Sequence, residues 1–173
     1  MFRHAAFLAF TALPATAQTV ISDLNGDGLA ERFTLIDRDG TVDLLIDRTG
    51  DAPVLANDIA WSGSIGQKPD LELAPNGSVV LVSMNESVSR SRWHLALTIA
   101  FRDGRYVIAG YTYDWYDTLD PAIGGTCDLN LLTGRGTLQK GQGPKTNVRT
   151  GLRAMPVTDF RDDRPIPPVC DVD

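Results

Sequence analysis

Apolar and polar residues alternate with a period of two along most of the chain after residue 30, which is the pattern of half-buried β-strands. Phe33 and Leu35 alternate with polar neighbours, and further apolar stretches flank the dipeptides Asp39-Gly40 and Asn76-Gly77. Both dipeptides supply the positive φ angles that two-residue hairpin turns require. We therefore expect an all-β fold, an antiparallel meander of about seven to nine strands that folds as a sandwich or as a strongly curved open sheet.

The longest hairpin of the sequence spans residues 93–115 and turns at Asp103-Gly104. If these two residues are the centre of the turn, Phe101 faces Tyr106. Uninterrupted alternation would place two apolar sets on opposite faces: Trp93, Leu95, Leu97 and Ile99 on one, and Ala109, Tyr111, Tyr113 and Trp115 on the other. Because both faces are largely apolar, we expect this hairpin near the centre of its sheet, covered at least partly on both sides.

A last hairpin and a Gly/Pro-rich tail complete the organisation of the chain. The hairpin spans residues 127–139 with its turn at Thr133-Gly134, and glycine and proline are abundant after residue 140. That composition predicts loops and at most one short edge strand. We expect one β domain over residues 18–140 and a tail over residues 141–173 that is held on the domain by a disulfide.

The first 17 residues have the pattern of a secretory signal peptide. Arg3 and His4 give a positive start, residues 5–13 are uncharged and largely apolar, and Ala15-Thr16-Ala17 places small residues where a signal peptidase cleaves. The apolar run is about half of the ~20 residues that cross a bilayer as a helix. We therefore expect cleavage after Ala17, a periplasmic or secreted location, and no membrane anchor.

Composition and charge suit a single exported domain. Hydrophobic residues make up 43% of the 173 residues and charged residues 22%, so the chain has the means to bury a core. The formal net charge of −6 becomes −7 when Arg3 leaves with the signal peptide. An acidic protein has no electrostatic basis for binding nucleic acid. His94 would be the single remaining histidine, which excludes zinc motifs built on two histidines.

The two cysteines, Cys127 and Cys170, are expected to form a disulfide. An exported chain meets an oxidising compartment, in which cysteine pairs tend to close. Such a bridge would tie the end of the chain to a strand of the β domain. The alternative interpretation is one buried thiol and one thiol in a frayed tail.

The stretch Asp23-Leu24-Asn25-Gly26-Asp27-Gly28-Leu29-Ala30-Glu31 has the most specific chemistry of the sequence. Oxygen-bearing side chains stand at its first, third, fifth and ninth positions, and Gly28 at the sixth allows a sharp turn. Ca²⁺ takes about six to eight oxygen ligands, so we expect a structural calcium site. Its expected ligands are the side chains of Asp23, Asn25, Asp27 and Glu31 and the backbone carbonyl of Leu29. The alternative is a turn held by its own side-chain to backbone hydrogen bonds.

This loop is not an EF-hand, because Thr34 stands where an EF-hand has a glutamate and a strand pattern comes next. The order D-x-N-x-D-G-x-x-E before a strand instead resembles the calcium loops of FG-GAP/VCBS repeats. That resemblance implies Ca²⁺ bound by these positions between two strands. One copy cannot build a propeller, which needs about four or more blades. The stretch from Tyr106 to Gly134 also resembles bacterial exported proteins, a likeness that implies no activity.

A second candidate site is the aromatic and acidic segment that begins at Tyr113. Asp114 and Asp117 could act as acid and base on a glycosidic bond. Tyr113 and Trp115 could form a stacking surface for a sugar or a peptide. The alternative is a solvated loop that caps the sheet, with the aromatic side chains packed in the core.

These features support two functional hypotheses. The first is an exported, non-catalytic binding or structural domain that is stabilised by Ca²⁺ and by the disulfide, with an unknown protein or polysaccharide as its partner. The second is a hydrolase or carbohydrate-binding module that acts on envelope or extracellular polysaccharide through the segment Asp114–Asp120. Geometry separates them, because a hydrolase would need Asp114 and Asp117 to face the same pocket.

Overall fold

The computed structural model describes residues 18–64, 66–120 and 122–171 of the chain. The predicted signal peptide, residues 1–17, lies outside the described residues. The fold is all-β, which confirms the prediction from the alternation of apolar residues. Within the described residues, twelve strands form two open antiparallel sheets, and the one helical element is a short 3-10 turn at Val157–Asp159.

The first sheet has four strands in chain order. They are β1 (Thr19–Ser22), β2 (Glu31–Asp37), β3 (Thr41–Asp47) and β4 (Val54–Trp61). The turn between β2 and β3 lies at the predicted dipeptide, where Gly40 has a φ of +84°. Glycine is favoured there because other residues rarely adopt positive φ. The predicted calcium loop therefore connects β1 to β2 at one end of this sheet.

The second sheet is a meander in which consecutive strands are neighbours. Its strands are β5 (Asp70–Leu73), β6 (Val79–Asn85), β7 (Ser91–Arg102), β8 (Arg105–Asp117), β9 (Gly124–Asn130), β10 (Arg135–Lys140) and β11 (Thr146–Arg149), and β12 (Met155–Pro156) pairs with the beginning of β8. The two longest strands, β7 and β8, lie in the middle of the sheet, as their apolar faces predict.

Side chains from both sheets form one continuous apolar core, so the sheets pack face to face as a sandwich. Phe33 and Leu44 of the first sheet and Leu97, Ile108 and Leu129 of the second are fully buried in it. Twelve strands are more than the seven to nine expected. The additional strands include β1, β11 and β12, which are too short to show a clear alternation in the sequence.

The turn between β7 and β8 is as predicted. Asp103 and Gly104 have φ angles of 50° and 74°, and Phe101 pairs with Tyr106. Two central residues with positive φ give the turn a twist that matches the twist of the flanking strands. This end of the hairpin therefore has the register that the Asp-Gly dipeptide indicates.

A β-bulge in β8 makes the predicted faces of this hairpin wrong. Ile99 pairs with Ile108, but Thr98 pairs with Gly110, so Ala109 is an extra residue in β8. A shift of one residue turns every later side chain of the strand to the other face. The core-facing side therefore holds members of both apolar sets that were expected on opposite faces: Leu95 and Leu97 of β7 with Tyr111, Tyr113 and Trp115 of β8.

The Gly/Pro-rich tail packs on the sandwich. It contributes β11, β12 and the 3-10 turn, and the N–H of Asp162 donates a hydrogen bond to the C=O of Asp58 in β4 at 2.9 Å. The predicted disulfide is confirmed, since Cys127 of β9 is bonded to Cys170. Across the described ranges, no helical segment has the length and apolar character of a membrane-spanning helix.

Candidate functional site

A groove of about 480 Å³ lies where β7 begins and β8 ends. Trp93, Tyr113 and Trp115 line it from the second sheet, and Ile166 and Cys170 line it from the tail. Three of the four residues predicted to bind a ligand are in this lining: Tyr113, Trp115 and Asp117. The groove therefore brings together most of the aromatic and acidic segment that the sequence singles out.

The aromatic side of the groove depends on the bulge in β8. Tyr113 and Trp115 come after the bulge on one face of the strand, and their rings stack with a centroid distance of 5.8 Å and an interplanar angle of 16°. Gly125 of β9 faces Trp115, and a Cβ atom there would lie 2.5 Å from Trp115 Cζ2. Glycine at this position thus leaves room for the indole ring. Both rings pack against the core and keep part of their surface exposed.

The phenol of Tyr113 is one polar group of the groove. Burial raises the pKa of the Tyr113 phenol, and the charge of the Asp171 carboxylate raises it further. The phenol therefore stays protonated and can donate a hydrogen bond. Asp171, which also lines the groove, adds an exposed acceptor from the tail.

Asp117 is a structural carboxylate at the end of β8. Its Oδ2 accepts a hydrogen bond from Arg90 Nε at 2.6 Å, and its Oδ1 accepts from the backbone N–H groups of Leu119 and Asp120 at 2.7 and 3.0 Å. The hydrogen bond from Arg90 holds the pKa of the Asp117 carboxyl below its ordinary value. Asp117 is therefore ionised and engaged in shaping the loop after β8.

Asp114 lies on the opposite face of β8 from Tyr113 and Trp115, because successive side chains of a strand alternate. It pairs with His94 and Thr126 in the neighbouring strands, and Thr126 Oγ1 donates to its Oδ1 at 2.5 Å. The structure does not bring Asp114 and Asp117 to one pocket. An acid and base pair on a glycosidic bond needs both carboxyls around the same bond.

The predicted calcium loop is closed by its own backbone. Asp23 Oδ1 accepts hydrogen bonds from the N–H groups of Gly26 and Asp27 at 2.9 and 3.1 Å, and its Oδ2 accepts from Gly28 at 2.9 Å. Asn25 Oδ1 accepts from the N–H of Asp27 at 3.0 Å. These bonds hold two of the predicted ligand side chains, those of Asp23 and Asn25, against the turn, with Gly28 at a φ of +88°.

The other end of the loop is anchored by Glu31, which is fully buried. Its Oε2 accepts a hydrogen bond from the N–H of Leu24 at 2.7 Å, and its Oε1 accepts from the hydroxyl of Tyr106 at 2.9 Å. Burial, together with this hydrogen bond to Glu31, raises the pKa of Tyr106 to about 12. Glu31 thus joins the loop to strand β8 of the other sheet. Leu29, the predicted carbonyl ligand, is exposed and donates its N–H to Asp27 Oδ1 at 2.9 Å.

A guanidinium group also contacts the loop. Arg48 forms ion pairs with Asp27 and with Asp51 and is itself largely buried. A positive side chain therefore already lies against one of the carboxylates that Ca²⁺ would use. Any cation in the loop would compete with Arg48 for Asp27.

The donor set fits Ca²⁺ chemically. A carboxylate or carbonyl oxygen can accept two hydrogen bonds. Asp23 Oδ2, Asn25 Oδ1, Asp27 Oδ1 and both oxygens of Glu31 each accept one within the described residues, so each predicted side-chain ligand retains a lone pair. In that part of the chain, however, no three His, Cys, Asp or Glu side chains are grouped closely enough to hold a metal ion. Asp23, Asp27 and Glu31 are thus not gathered around one centre in this structure.

Several residues of both sites escape the sequence patterns. Arg90 and Arg48 reach their acidic partners from other strands or loops, and Ile166 and Asp171 reach the groove from the tail. No local spacing connects these positions to the residues they contact. The pair of cysteines is the one feature of the sequence that indicates the contact between the tail and the groove. A bond from Cys170 to Cys127 places the end of the tail beside β9, where Cys127 pairs with Tyr113.

Comparison with protein-family models found no match to this chain, and none was found among curated proteins or solved structures. The likeness of residues 23–31 to FG-GAP/VCBS calcium loops therefore stays a prediction based on those residues alone. The function proposed for this chain therefore rests on the geometry of its candidate sites.

Proposed function

We propose that this chain is an exported, non-catalytic binding domain that is stabilised by Ca²⁺ and by the Cys127–Cys170 disulfide. The observation that carries the proposal is the groove at the beginning of β7 and the end of β8, in which stacked aromatic rings face a wall that the disulfide holds in place. Ligand sites are typically concave, lined by apolar and aromatic side chains and supplied with a few polar groups. The signal-peptide pattern of residues 1–17 supports a periplasmic or secreted location.

The chemistry of the groove favours a carbohydrate ligand. A pyranose ring has apolar C–H faces and a rim of hydroxyl groups. The rings of Tyr113 and Trp115 offer apolar faces, the Tyr113 hydroxyl offers a donor, and Asp171 offers an acceptor. The volume of about 480 Å³ lies within the range of small-ligand sites, roughly 300–1,000 Å³. We therefore propose a polysaccharide segment of the cell envelope or its surroundings as the ligand.

Geometry supports binding over hydrolysis. The two carboxylates of the hydrolase hypothesis lie on opposite faces of β8, and Asp117 is held by Arg90 and two backbone N–H groups. A hydrolytic pair would need two carboxyls that flank the same glycosidic bond, one of them free to give a proton. From the second hypothesis, a hydrolase or carbohydrate-binding module, we therefore retain carbohydrate binding and not hydrolysis.

Replacing Trp115 by alanine should weaken glycan binding strongly. Aromatic residues at the centre of a binding site commonly contribute about 2 kcal/mol or more, which corresponds to a loss of affinity of roughly thirtyfold. A glycan array would identify the ligand, and titration calorimetry with that glycan would measure the loss. Trp115→Phe keeps a ring in the groove and should retain part of the affinity.

His94→Ala is the matched control, because His94 is exposed on the opposite face of the same hairpin. It should bind like the wild type. Near-ultraviolet circular dichroism of each variant would show that the fold is retained. Equal affinities of the Trp115→Ala and His94→Ala variants would refute the groove as the binding site, and a reducing-sugar assay that detects cleavage would refute the non-catalytic assignment.

Millimolar Ca²⁺ should raise the melting temperature of the mature protein. Extracellular calcium modules bind with dissociation constants of about 0.1–1 mM. At a tenfold excess over the dissociation constant the stabilisation is about 1.4 kcal/mol, which shifts the melting temperature of a domain of this size by about 3–6 °C. Differential scanning calorimetry with Ca²⁺ and with EDTA would measure the shift.

The variant Asp27→Asn should lose this shift, because it removes one of the charged ligands. Asp39→Asn is its control, since Asp39 is an exposed acid in the neighbouring Asp-Gly turn. The quantity compared is the change in melting temperature that Ca²⁺ causes in each variant. The melting temperature itself is not compared, because Asp27 also contacts Arg48 and its replacement can change stability without Ca²⁺. If Ca²⁺ gives no shift in the wild type, or the same shift in both variants, the loop is a self-supporting turn.

A further inference from the structure

Strand β11 is an open edge of the second sheet. At the other end of that sheet, β5 lies beside β1, and Ser22 Oγ of β1 donates to the C=O of Gly77 next to β5 at 2.8 Å. The outer side of β4 receives the hydrogen bond from Asp162 of the tail. Among the described residues, strand β11 pairs with β10 on one side and with no strand on the other. An open edge presents backbone groups that another extended chain can pair with.

The backbone alternation shows which groups of β11 point outward. The N–H of Thr150 donates to the C=O of Gly134 at 3.1 Å, so these two residues form a hydrogen-bonded pair. In an antiparallel ladder such pairs alternate with non-bonded pairs. Arg149 and Asn147 are therefore at non-bonded positions relative to β10, and their N–H and C=O groups point away from the sheet. No described residue donates to or accepts from these groups.

The outer face of this edge has unpaired positive charge. Arg149 pairs directly with Arg135 of β10, and both side chains are exposed. Like charges directly opposite each other in neighbouring strands are destabilising. Among the described residues, neither guanidinium has an ion pair or a hydrogen bond. Residues 134–164 contain seven Lys and Arg against three Asp, so the region is basic within an acidic protein.

The inner face of the edge is apolar. Val148 points to the core side of β11 and packs against the core, as do Leu152 and Ile166. A cavity of about 770 Å³ lies beside the end of the strand, between residues 149–152 and 164–169. If another strand paired with the free edge of β11, its residue opposite Val148 would place its side chain on this apolar side.

We propose that β11 is the docking edge for an extended segment of another protein in which acidic and apolar residues alternate. Main-chain hydrogen bonds to Asn147 and Arg149 would supply binding, as in other cases of strand addition. An acidic residue beside Arg149 would relieve the repulsion from Arg135, and its apolar neighbours would lie on the side of Val148. This inference does not depend on the carbohydrate groove, which is lined by the ends of β7 and β8 and the end of the tail.

The charge at the edge argues against a second copy as the occupant. Pairing two β11 strands would bring a second Lys145 and a second Arg149 to the same edge and would add positive charge where Arg149 and Arg135 already repel each other. The arginines at this edge thus disfavour pairing with a second copy of this chain or with another basic chain. They favour pairing with an acidic chain. The partner is therefore a different chain with a complementary charge pattern.

A short synthetic peptide that alternates Glu and Val would test the proposal, with a Lys–Val peptide of equal length as its counterpart. Fluorescence anisotropy should detect binding of the Glu–Val peptide alone. Arg149→Glu should weaken it by about tenfold or more, equivalent to about 1.4 kcal/mol. Asn147→Pro removes an outward N–H without removing a bond to β10 and should also abolish binding. Arg105→Gln, at an exposed position of the β7–β8 turn, is the matched control and should bind normally.

Hydrogen exchange adds a readout that locates the peptide. The amides of Asn147 and Arg149 should be protected when the Glu–Val peptide is bound and should exchange freely in its absence. The proposal is overturned if the Glu–Val peptide does not bind, if it binds equally to the Arg149→Glu and Asn147→Pro variants, or if the Lys–Val peptide binds as well. Self-association through β11 in sedimentation experiments would also overturn it, because a second copy would then be the occupant.

Discussion

Replacing Cys127 and Cys170 together by alanine is expected to lower the free energy of unfolding by about 4 kcal/mol. The disulfide joins residues 43 positions apart in the chain, and a crosslink of that span removes much of the conformational freedom of the unfolded state. For a domain of this size the melting temperature should fall by about 8–16 °C. Urea denaturation under non-reducing conditions would measure the loss.

The wild-type protein in the presence of a reductant is the matched comparison for this variant. Both cysteines are buried, so alanine also removes two packed sulfur atoms, whereas reduction leaves them in place. If the constraint on the unfolded chain dominates, the reduced wild type and the double variant should lose similar stability. A double variant within about 1 kcal/mol of the oxidised wild type would contradict this account.

The disulfide also bears on the groove, because Cys170 is part of its wall. Releasing the bond frees the end of the tail from β9, and with it Ile166 and Asp171. The double variant should therefore bind the glycan more weakly than its residual stability alone would predict. Structure and proposed function are linked here, since the bond that fixes the tail to β9 also holds one side of the candidate site.

The turns and the identity of the central hairpin could be predicted from the sequence because they depend on local chemistry. Asp103-Gly104 determines a two-residue turn through the φ angles that these residues tolerate, and this turn sets the pairing of Phe101 with Tyr106. The bulge at Ala109 could not be predicted in this way. No residue type is required for it, and its effect appears only when the pairing of two strands is known.

That one unpredicted residue changes the candidate site more than any other feature. Without the bulge, Tyr113 and Trp115 would face away from the core, on the side of the hairpin that carries His94 and Thr98 of β7. With it, they face the core and the tail, while Asp114 turns outward toward Thr126. The sequence identified the right aromatic residues, but it ended the hairpin at residue 115, whereas β8 extends to Asp117 and alternation along it puts Asp114 and Asp117 on different faces. Pairing register, which depends on long-range contacts, decided which face the aromatic rings occupy.

The predicted calcium loop shows a different limit of sequence reasoning. The spacing of its oxygen-bearing side chains is local, and the structure holds those side chains along one turn. The contacts of Arg48 and Tyr106 with the loop come from β3–β4 and β8, and no spacing within residues 23–31 indicates them. These contacts decide how much of the loop's stability is independent of a cation. A substitution at Glu31 can separate the stability that these contacts give the loop from the stability that a bound cation would add.

Replacing Glu31 by alanine should cost about 3 kcal/mol even without Ca²⁺, because the carboxylate is fully buried and accepts hydrogen bonds from the N–H of Leu24 and the hydroxyl of Tyr106. Its removal leaves two donors unsatisfied, and each such loss costs about 1–3 kcal/mol. Denaturation in EDTA would measure this structural part alone. Glu31→Gln retains one acceptor oxygen and should lie between the wild type and the alanine variant.

Tyr106→Phe removes one of these donors and gives an independent test through pH. The pKa of Tyr106 is raised to about 12 in the folded protein, whereas an unfolded tyrosine titrates near ~10. Between these values the unfolded chain has lost the proton and the folded chain retains it, so stability falls as pH rises through this range. The Tyr106→Phe variant should lose less stability than the wild type between pH ~9 and pH ~11. Equal losses in the two proteins would show that the contact between Tyr106 and Glu31 does not hold the loop to β8.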